Sequence, residues 1–390
     1  MSKPKLIRIT TVPLSLEKLL EGQLNYMQEH FEVTAIAADE SRLRVFGKKN
    51  RLKVFPLEMT RQITPWADLN ALVRLVYFLK KERPQIVHTH TPKAGIVGML
   101  AAKITGVPHR LHTVAGLPLM EATGKKRWLL NKVEKLTYFC ATKVYPNSQG
   151  LFDFIEKEGF TSTEKLKIIG QGSSNGIDTS HFNPDLFSRT QKTSLRHDLN
   201  IKEDDFVFVF VGRLVGDKGI NELVEAFNNS KFKIQNSKLL LVGPQEPDLD
   251  PLQPSTLQEI DKNPNIISVG YQEDVRPYFA LSDALVFPSY REGFPNVVMQ
   301  AGAMGLPCIV SDINGCNEII VEGENGLIIP SKNREELQKA MRLLADDRDI
   351  YTQLQKNARK MIIRRYQREE VWQALLEEYQ TLLKEKGLGE

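Results

Sequence analysis

Thirteen short runs of strand-forming residues alternate with stretches of helical spacing, and this alternation decides most of what the chain can become. In the first half the runs are LIRITTV (6–12), VTAIA (33–37), LKVFPL (52–57), IVHTH (86–90), HRLHT (109–113), KVYPN (143–147) and LKIIG (166–170). In the second half they are FVFVFVG (206–212), KLLLVG (238–243), IISVG (266–270), ALVFPS (284–289), CIVS (308–311) and GLIIP (326–330). Their apolar residues are continuous rather than alternating, as in strands covered on both faces. Helical spacing fills the intervals, for example over 66–82, 219–228 and 292–304. Repetition of this kind predicts parallel sheets with helices on both faces.

The pattern stops over the polar stretch 183–205, which contains Pro184, and restarts near 206. We therefore expect two doubly wound, Rossmann-like domains, 1–185 and 186–365. A long amphipathic helix follows over 366–386, with Val371, Leu375, Leu376, Tyr379, Leu382 and Leu383 on one face. Its periodicity leaves its docking place open, and a return of 366–390 onto the first domain is one candidate. Tandem sheets of this kind are expected to face each other across a cleft lined by strand C-termini and helix N-termini, where ligands of open α/β sheets bind.

Composition narrows the function. The length of 390 residues suits two domains, and no run approaches the eighteen apolar residues of a membrane span. The start, MSKPKLIRITTV, runs directly into strand-like residues and reads as the mature start of a cytoplasmic protein. Cys140, Cys308 and Cys316 lack paired spacing, so they are expected as core thiols. The net charge of +4 hides an asymmetry: residues 1–185 hold 27 Lys and Arg against 17 Asp and Glu. The first half thus suits an anionic partner, whether nucleic acid, anionic lipid or a phosphorylated substrate, or else simply carries a solvated basic surface. Nucleic acid ranks lowest, because no recognised module or aromatic-interleaved basic array is present.

Two segments carry chemistry. In FVGRLVGDKGINELVEAF (210–227), Arg213 follows a strand and Lys218 stands at the mouth of a helix. A planar fork, a point charge and helix N–H groups suit a diphosphate, and Gly212, Gly216 and Gly219 let backbone approach closely. The spacing is neither a Walker A loop nor a dinucleotide fingerprint; a plain charged turn is the bland reading. In REGFPNVVMQA (291–301), Glu292 is expected at the foot of a helix, with the N–H groups of 293–297 beside it. A carboxylate flanked by amides suits a polyhydroxylated ligand, and equally an ordinary capping acid.

Taken in this order, the two segments resemble the retaining glycosyltransferases of family 4, whose fold is GT-B. The resemblance spans nearly the whole chain and includes NGIDTSHF (175–182), VPHRLHTVAGLP (107–118) and CIVSDINGCNEII (308–320). HTHTPKAG and NVVMQAGAMGLPCIVSDINGCNEII are most similar to enzymes that extend bacterial polysaccharides or polyprenyl-diphosphate-linked oligosaccharides. The resemblance implies that Arg213 and Lys218 hold the diphosphate of a UDP-sugar donor. It implies that Glu292 binds sugar hydroxyls with the backbone of Gly293, Phe294, Pro295, Asn296 and Val297. Gln300 falls where the family has a second glutamate and would reach the ribose. Tyr271, in VGYQED (269–274), marks the stretch near the nucleobase, and His112 matches a cleft histidine near the reacting sugar. No cofactor or metal is expected.

The acceptor side is less regular. The loop TTVPLSLEKLL (10–20) lacks the family's glycines, leaving Ser15 as a substitute contact. His88 and His90 are expected on opposite strand faces, His90 nearer the cleft, and Lys93 is a candidate for an acceptor phosphate. In GKKRWLLNKVEKLTYFCA (124–141), Leu129, Val133, Leu136 and Cys140 form a stripe that core packing would explain. The alternative is that Lys125, Lys126, Arg127 and Trp128 touch the inner face of a membrane that presents a lipid-linked acceptor. A sugar-nucleotide epimerase and a non-catalytic sugar-nucleotide or glycan-binding module are the competing functions.

Overall fold

The computed structural model of the chain describes residues 3–60, 62, 64–117, 119, 122–228, 236–246 and 250–387. Within them the expected alternation becomes two six-stranded sheets. One holds β1 (Lys5–Ile9), β2 (Glu32–Ala37), β3 (Lys53–Pro56), β4 (Ile86–His90), β5 (His109–Val114) and β6 (Lys143–Pro146), in the order β3-β2-β1-β4-β5-β6. The other holds β7 (Phe206–Val211), β8 (Ser237–Val242), β9 (Ile266–Ser268), β10 (Ala284–Phe287), β11 (Cys308–Ser311) and β12 (Gly326–Ile329), in the order β12-β11-β10-β7-β8-β9. Every pairing is parallel. Both orders reverse direction beside the first strand, which opens a crevice at the strand C-termini of each sheet.

Contacts divide the chain into two compact units. Unit 1 runs to Gly176 and resumes at Arg368; unit 2 is Ile177–Gln367. Unit 1 carries α1 (Pro13–Leu19), α2 (Gln23–Gln28), α3 (Glu40–Asn50), α4 (Pro65–Glu82), α5 (Pro92–Ile104), α6 (Gly124–Cys140) and α7 (Gln149–Lys157). Unit 2 carries α8 (Arg189–Asp198), α9 (Ile220–Asn228), α10 (Pro254–Lys262), α11 (Arg276–Leu281), α12 (Asn296–Ala303), α13 (Cys316–Ile319), α14 (Arg334–Asp346) and α15 (Arg348–Tyr366). The last helix, α16 (Arg368–Glu385), belongs to unit 1. Its face of Leu375, Leu376, Tyr379, Leu382 and Leu383 joins the core that holds Leu6, Leu24, Met27 and Tyr145. Trp372 Nε1 donates to Asn175 Oδ1 at 2.7 Å. Gly22, at φ +77°, lies so close to the Trp372 ring that a Cβ there would come within 2.6 Å of it.

Two expectations shift. The run 166–170 forms a single bridge, Val144 to Leu166, because the chain turns away at Gly170 with φ +58°. The polar stretch 183–205 lies inside unit 2 instead of preceding it. Phe182, Phe187, Leu195 and Leu199 pack on the unit 2 core, and Arg196 donates to the Leu281 carbonyl at 2.8 Å. Ile177 is buried, and its N–H donates to the Tyr366 carbonyl at 2.8 Å, so the change of unit falls at 176/177.

Candidate active site

The two segments singled out in the second half meet in unit 2. After β7 the chain enters a 3-10 turn, Gly216–Lys218, and then α9. Gly219 ends the turn at φ +70°, and a Cβ there would sit 2.2 Å from the Pro288 carbonyl oxygen. That close approach lets the turn lie against the loop after β10. The Tyr290 N–H donates to the Asp217 carbonyl at 2.9 Å, and the Arg291 guanidinium donates to Asp217 Oδ2 at 2.9 Å. The Asp217 N–H in turn donates to Asp250 Oδ2 at 2.6 Å.

On this base Lys218 Nζ pairs with Glu292 Oε1, although the two residues are 74 positions apart. Ser289 Oγ donates to the same carboxylate oxygen at 2.9 Å. The Lys218 ammonium also stands 5.7 Å from the centre of the Phe287 ring. Beneath them the Cys316 thiol is pushed well up by burial first, with the Glu292 carboxylate acting in the same direction. Thiolate chemistry at this point is therefore suppressed.

Glu292 does not stand at a helix foot, as the spacing suggests. It sits in an extended loop, and α12 starts four residues later with Pro295 as its N-cap. No side chain caps that helix, so its first N–H groups remain available as donors. Asn314 Nδ2 fixes the loop by donating to the carbonyls of Glu292 at 3.1 Å and Gly293 at 2.6 Å. Gly315 adopts φ +76° beneath the same loop. Phe294 and Pro295 are buried, whereas Asn296 is exposed and Val297 and Gln300 are half-buried. Asn296 and Gln300, four apart, share the open face of α12.

Arg213 lies just past β7 but pairs with Glu246, at 2.8 Å, not with Glu292. Tyr271 is 73% exposed in the stretch after β9. The Gly270 carbonyl there accepts from the Gly243 N–H at 2.8 Å, which ties this stretch to the end of β8. Sequence reasoning missed Ser289, Asn314 and Glu246. The Asn-Gly pair 314–315 after a strand is a turn signal that could have found Asn314; nothing in the spacing marks Glu246.

In unit 1 the expected residues are placed differently. Ser15 is half-buried in α1, and its N–H donates to the Val12 carbonyl at 3.0 Å. Lys93, in the first turn of α5, is paired with Asp68. His88 and His90 do not point to opposite faces: two residues apart on β4, they share one face, and their rings stack at 4.6 Å. His90 is buried. Its Nε2 lies 2.6 Å from the Arg8 guanidinium, which also donates to Gln23 Oε1 and Tyr379 OH at 2.8 Å each. Arginine only donates, so His90 Nε2 is the acceptor. Burial, followed by the Arg8 charge, holds both imidazoles well below the usual histidine range. A cavity of about 20 Å³ lies beside them, bordered also by Thr113 and Asn147.

His112 is likewise enclosed rather than open at a strand edge. Thr89 Oγ1 lies 2.8 Å from its Nδ1, and burial lowers its pKa to about 4. A Cβ on Gly95 would come within 2.6 Å of the ring. In α6 the stripe expected in the core is split: Cys140 is buried and Val133 half-buried, whereas its other two members face outward. Leu129 and Leu136 are exposed, while Glu134, Thr137, Tyr138 and Cys140 are buried. Lys125, Lys126 and Trp128 are exposed too. Arg127 is not part of that surface: it donates to the Leu119 carbonyl at 2.6 Å and pairs with Glu158 at 3.0 Å. Among the described residues no helix is long and apolar enough to cross a membrane, and no three His, Cys, Asp or Glu side chains group as a metal site.

Comparison with known proteins agrees with this geometry. A family model described as glycosyl transferases group 1 matches residues 191–361, and one described as a glycosyl transferase 4-like domain matches 20–170. Over 386 residues, 99% of each chain, the sequence is 31% identical to the capsular polysaccharide biosynthesis glycosyltransferase CapM of Staphylococcus aureus. It is 28% identical, over 93% of each chain, to the UDP-Gal:alpha-D-GlcNAc-diphosphoundecaprenol alpha-1,3-galactosyltransferase of Escherichia coli. Among solved structures, a glycosyltransferase from Rickettsia africae superposes with a TM-score of 0.80 at 19% identity, covering 98% of this chain and all (100%) of that one. HepE of Anabaena, in complex with UDP and glucose, gives 0.77 at 17% identity, covering 97% and 100%. The chain therefore belongs to the family 4 glycosyltransferases of GT-B fold, in the group that serves bacterial polysaccharide biosynthesis.

Proposed function

We propose that the protein is a retaining transferase that moves a hexose or N-acetylhexosamine from a UDP-sugar to a hydroxyl of a growing bacterial glycan carried on a polyprenyl diphosphate. The observation that carries this reading is the meeting of Lys218 and Glu292 on two loops bonded to each other. It brings a cation for a diphosphate and an acceptor for sugar hydroxyls to one place. The name of the Escherichia coli relative, which specifies UDP-Gal and a diphosphoundecaprenol-linked acceptor, supports the choice of substrates.

In the reaction, the bond from the anomeric carbon to the diphosphate oxygen breaks, and the acceptor oxygen bonds to the same face of that carbon. The hydroxyl proton passes to the departing diphosphate. Lys218 and Arg213 meet the charge that develops there, which is the task a metal ion performs elsewhere, so no metal is required. The Arg213–Glu246 pair is partly exposed and therefore contributes little, so a phosphate readily replaces the carboxylate. Lys218 has three donors and keeps Glu292 as one partner while another turns to the phosphate. Glu292 and the N–H groups of Gly293, Phe294, Asn296 and Val297 hold the sugar hydroxyls. Gln300 accepts from one ribose hydroxyl and donates to the other, and the backbone around Tyr271 meets the base.

Ser15 and Lys93 are the acceptor contacts in this reading. His90 on the acceptor side and His112 near the reacting sugar complete the set, both enclosed within unit 1. Lys125, Lys126 and Trp128 rest on the cytoplasmic face of a membrane. The test is transfer from an α-linked UDP-sugar panel onto a polyprenyl-diphosphate-linked acceptor, with the product anomer read by NMR. An α-linked product is expected; a β-linked product contradicts retention, and no transfer from any UDP-sugar contradicts the donor.

A further inference from the structure

The three helices α4, α5 and α6 pack side by side on one face of the unit 1 sheet, with α5 in the middle. The outward faces of the two flanking helices are unusual for a water-facing surface. On α4, Trp66, Leu69, Val73 and Tyr77 are all exposed, the first at 85% and the last at 72%. Their spacing of three, four and four residues lines them up along a single stripe. On α6, Trp128, Leu129, Leu136 and Phe139 are exposed, while the inward face takes Glu134, Thr137, Tyr138 and Cys140. A helix that buries a carboxyl and displays two aromatics has its outer face shaped for something other than water.

The charges on these faces have one sign. Arg74, Lys80 and Lys81 are the exposed ionic residues beside the α4 stripe, since Asp68 is paired with Lys93 and Glu82 with Lys5. Lys125, Lys126, Lys132 and Lys135 stand among the apolar residues of α6, whose one acid is the buried Glu134. Lys103 of α5 lies 3.3 Å above the Phe139 ring, so it continues the positive surface across the middle helix. A second copy set against this face would bring lysine against lysine. An anionic lipid surface meets both requirements: the apolar and aromatic side chains enter the headgroup boundary, and the ammonium groups meet lipid phosphates.

We infer that α4 and α6 together form a bilayer-docking face of unit 1 that selects anionic lipid. The inference rests on the reading above that the enzyme works at a membrane, and it adds α4 and a lipid preference to that reading. It also assigns the apolar α4 stripe, Trp66 above all, an anchoring role.

The chain carries its own probe. Of its three tryptophans, Trp66 and Trp128 lie on the proposed face and Trp372 is buried. The experiment is flotation and tryptophan emission of the full chain with phosphatidylcholine vesicles, with or without one-third phosphatidylglycerol. We expect flotation and a blue shift with the anionic vesicles only, both weakened by salt. Reversing Lys125, Lys126 and Lys132 together to Glu is expected to lower the partition coefficient by about 100-fold, at roughly 1 kcal/mol for each lysine. Trp66→Ser with Leu69→Ser on α4 is expected to lower it by about tenfold or more.

Equal binding to neutral and anionic vesicles, or none to either, overturns the inference. Binding indifferent to the α4 pair overturns the part given to α4. A dimer that dissolves on Trp66→Ser makes a second copy the occupant and overturns it as well. A UDP-induced rise in Tm, measured on each variant, shows whether the chain is folded with its donor site intact. Loss of that rise in the unaltered chain, with vesicle binding kept, counts against the donor reading alone.

Discussion

Units 1 and 2 share a sheet order but fill their interiors differently. In unit 2 the strands are covered by an apolar core such as Phe208, Phe210, Leu240, Leu285, Val298 and Ile309, and its two histidines, His181 and His197, are exposed. Among its ion pairs, Lys218 with Glu292 and Arg213 with Glu246 stand next to strand ends at part-exposed positions. Unit 1 instead buries Arg8, His88, His90, His112 and Glu134 within its sheet-and-helix layers. Arg8 has three hydrogen-bond partners and no carboxylate among them. An apolar scaffold with charges at its rim suits a site that must exchange partners during turnover. A buried polar network resists exchange of partners, because a group that loses its partner carries a desolvation cost. The contrast is one of setting: the Lys218 and Glu292 side chains of unit 2 are part-exposed, whereas the histidines of unit 1 at positions 88, 90 and 112 are enclosed.

The largest expected effect that could break this comparison is on turnover. Lys218→Ala should lower kcat by about 10² to 10³, in the range seen when one donor to a developing oxyanion is removed. Because the Lys218–Glu292 pair is not deep in a core, the stability of unit 2 should change little. A normal kcat would remove the charge at the rim from the mechanism.

The next effect is on stability and is confined to unit 1. Its buried imidazoles are neutral when folded and take up a proton on unfolding, so stability is present above pH 6.5 and is lost as pH falls. For His112 the loss runs from 6.5 to about 4 and is on the order of 3 kcal/mol. Glu134 works in the opposite direction: burial raises it from 4.5 to about 7, so the folded chain regains stability as pH falls between these values. Three imidazoles outweigh one carboxyl, and the net expectation is an acid transition in unit 1 below pH 6.5. All three tryptophans belong to unit 1, so their emission follows that unit. Unchanged emission down to pH 4, or hydrogen exchange showing unit 2 opening first, would reverse the contrast.

The smallest effect sharpens the site. Gln300→Ala should change kcat by less than about threefold and raise KM for the donor by about tenfold, the size of one lost neutral hydrogen bond. An effect on kcat as large as that of Lys218→Ala would promote Gln300 from ribose contact to a role in the transition state.

Much of the fold was legible because a strand covered on both faces leaves a continuous apolar run, and such runs recur between helical stretches along the whole chain. The site was legible as two segments, since glycines and charges next to strand ends carry local signals. What the sequence concealed was relational. The start of α12 slipped from 292 to 296 because Gly293 and Pro295 hold an extended loop pinned by Asn314, which lies on another strand's exit. Glu246 as the partner of Arg213 depends on the adjacency of β7 and β8. The shared face of His88 and His90 follows from the strand period of two and was misread. In α6 the apolar spacing of Leu129, Val133, Leu136 and Cys140 did not mark the buried face, which instead carries Glu134, Thr137, Tyr138 and Cys140.

The most direct measurement of the central claim is calorimetric titration of UDP, in the presence of EDTA, into the unaltered chain and into Lys218→Ala. The account predicts binding by the unaltered chain without metal, and a loss of about tenfold or more in affinity on removing the ammonium, as expected for a charge-assisted bond to phosphate. Equal affinity in the two proteins would contradict it.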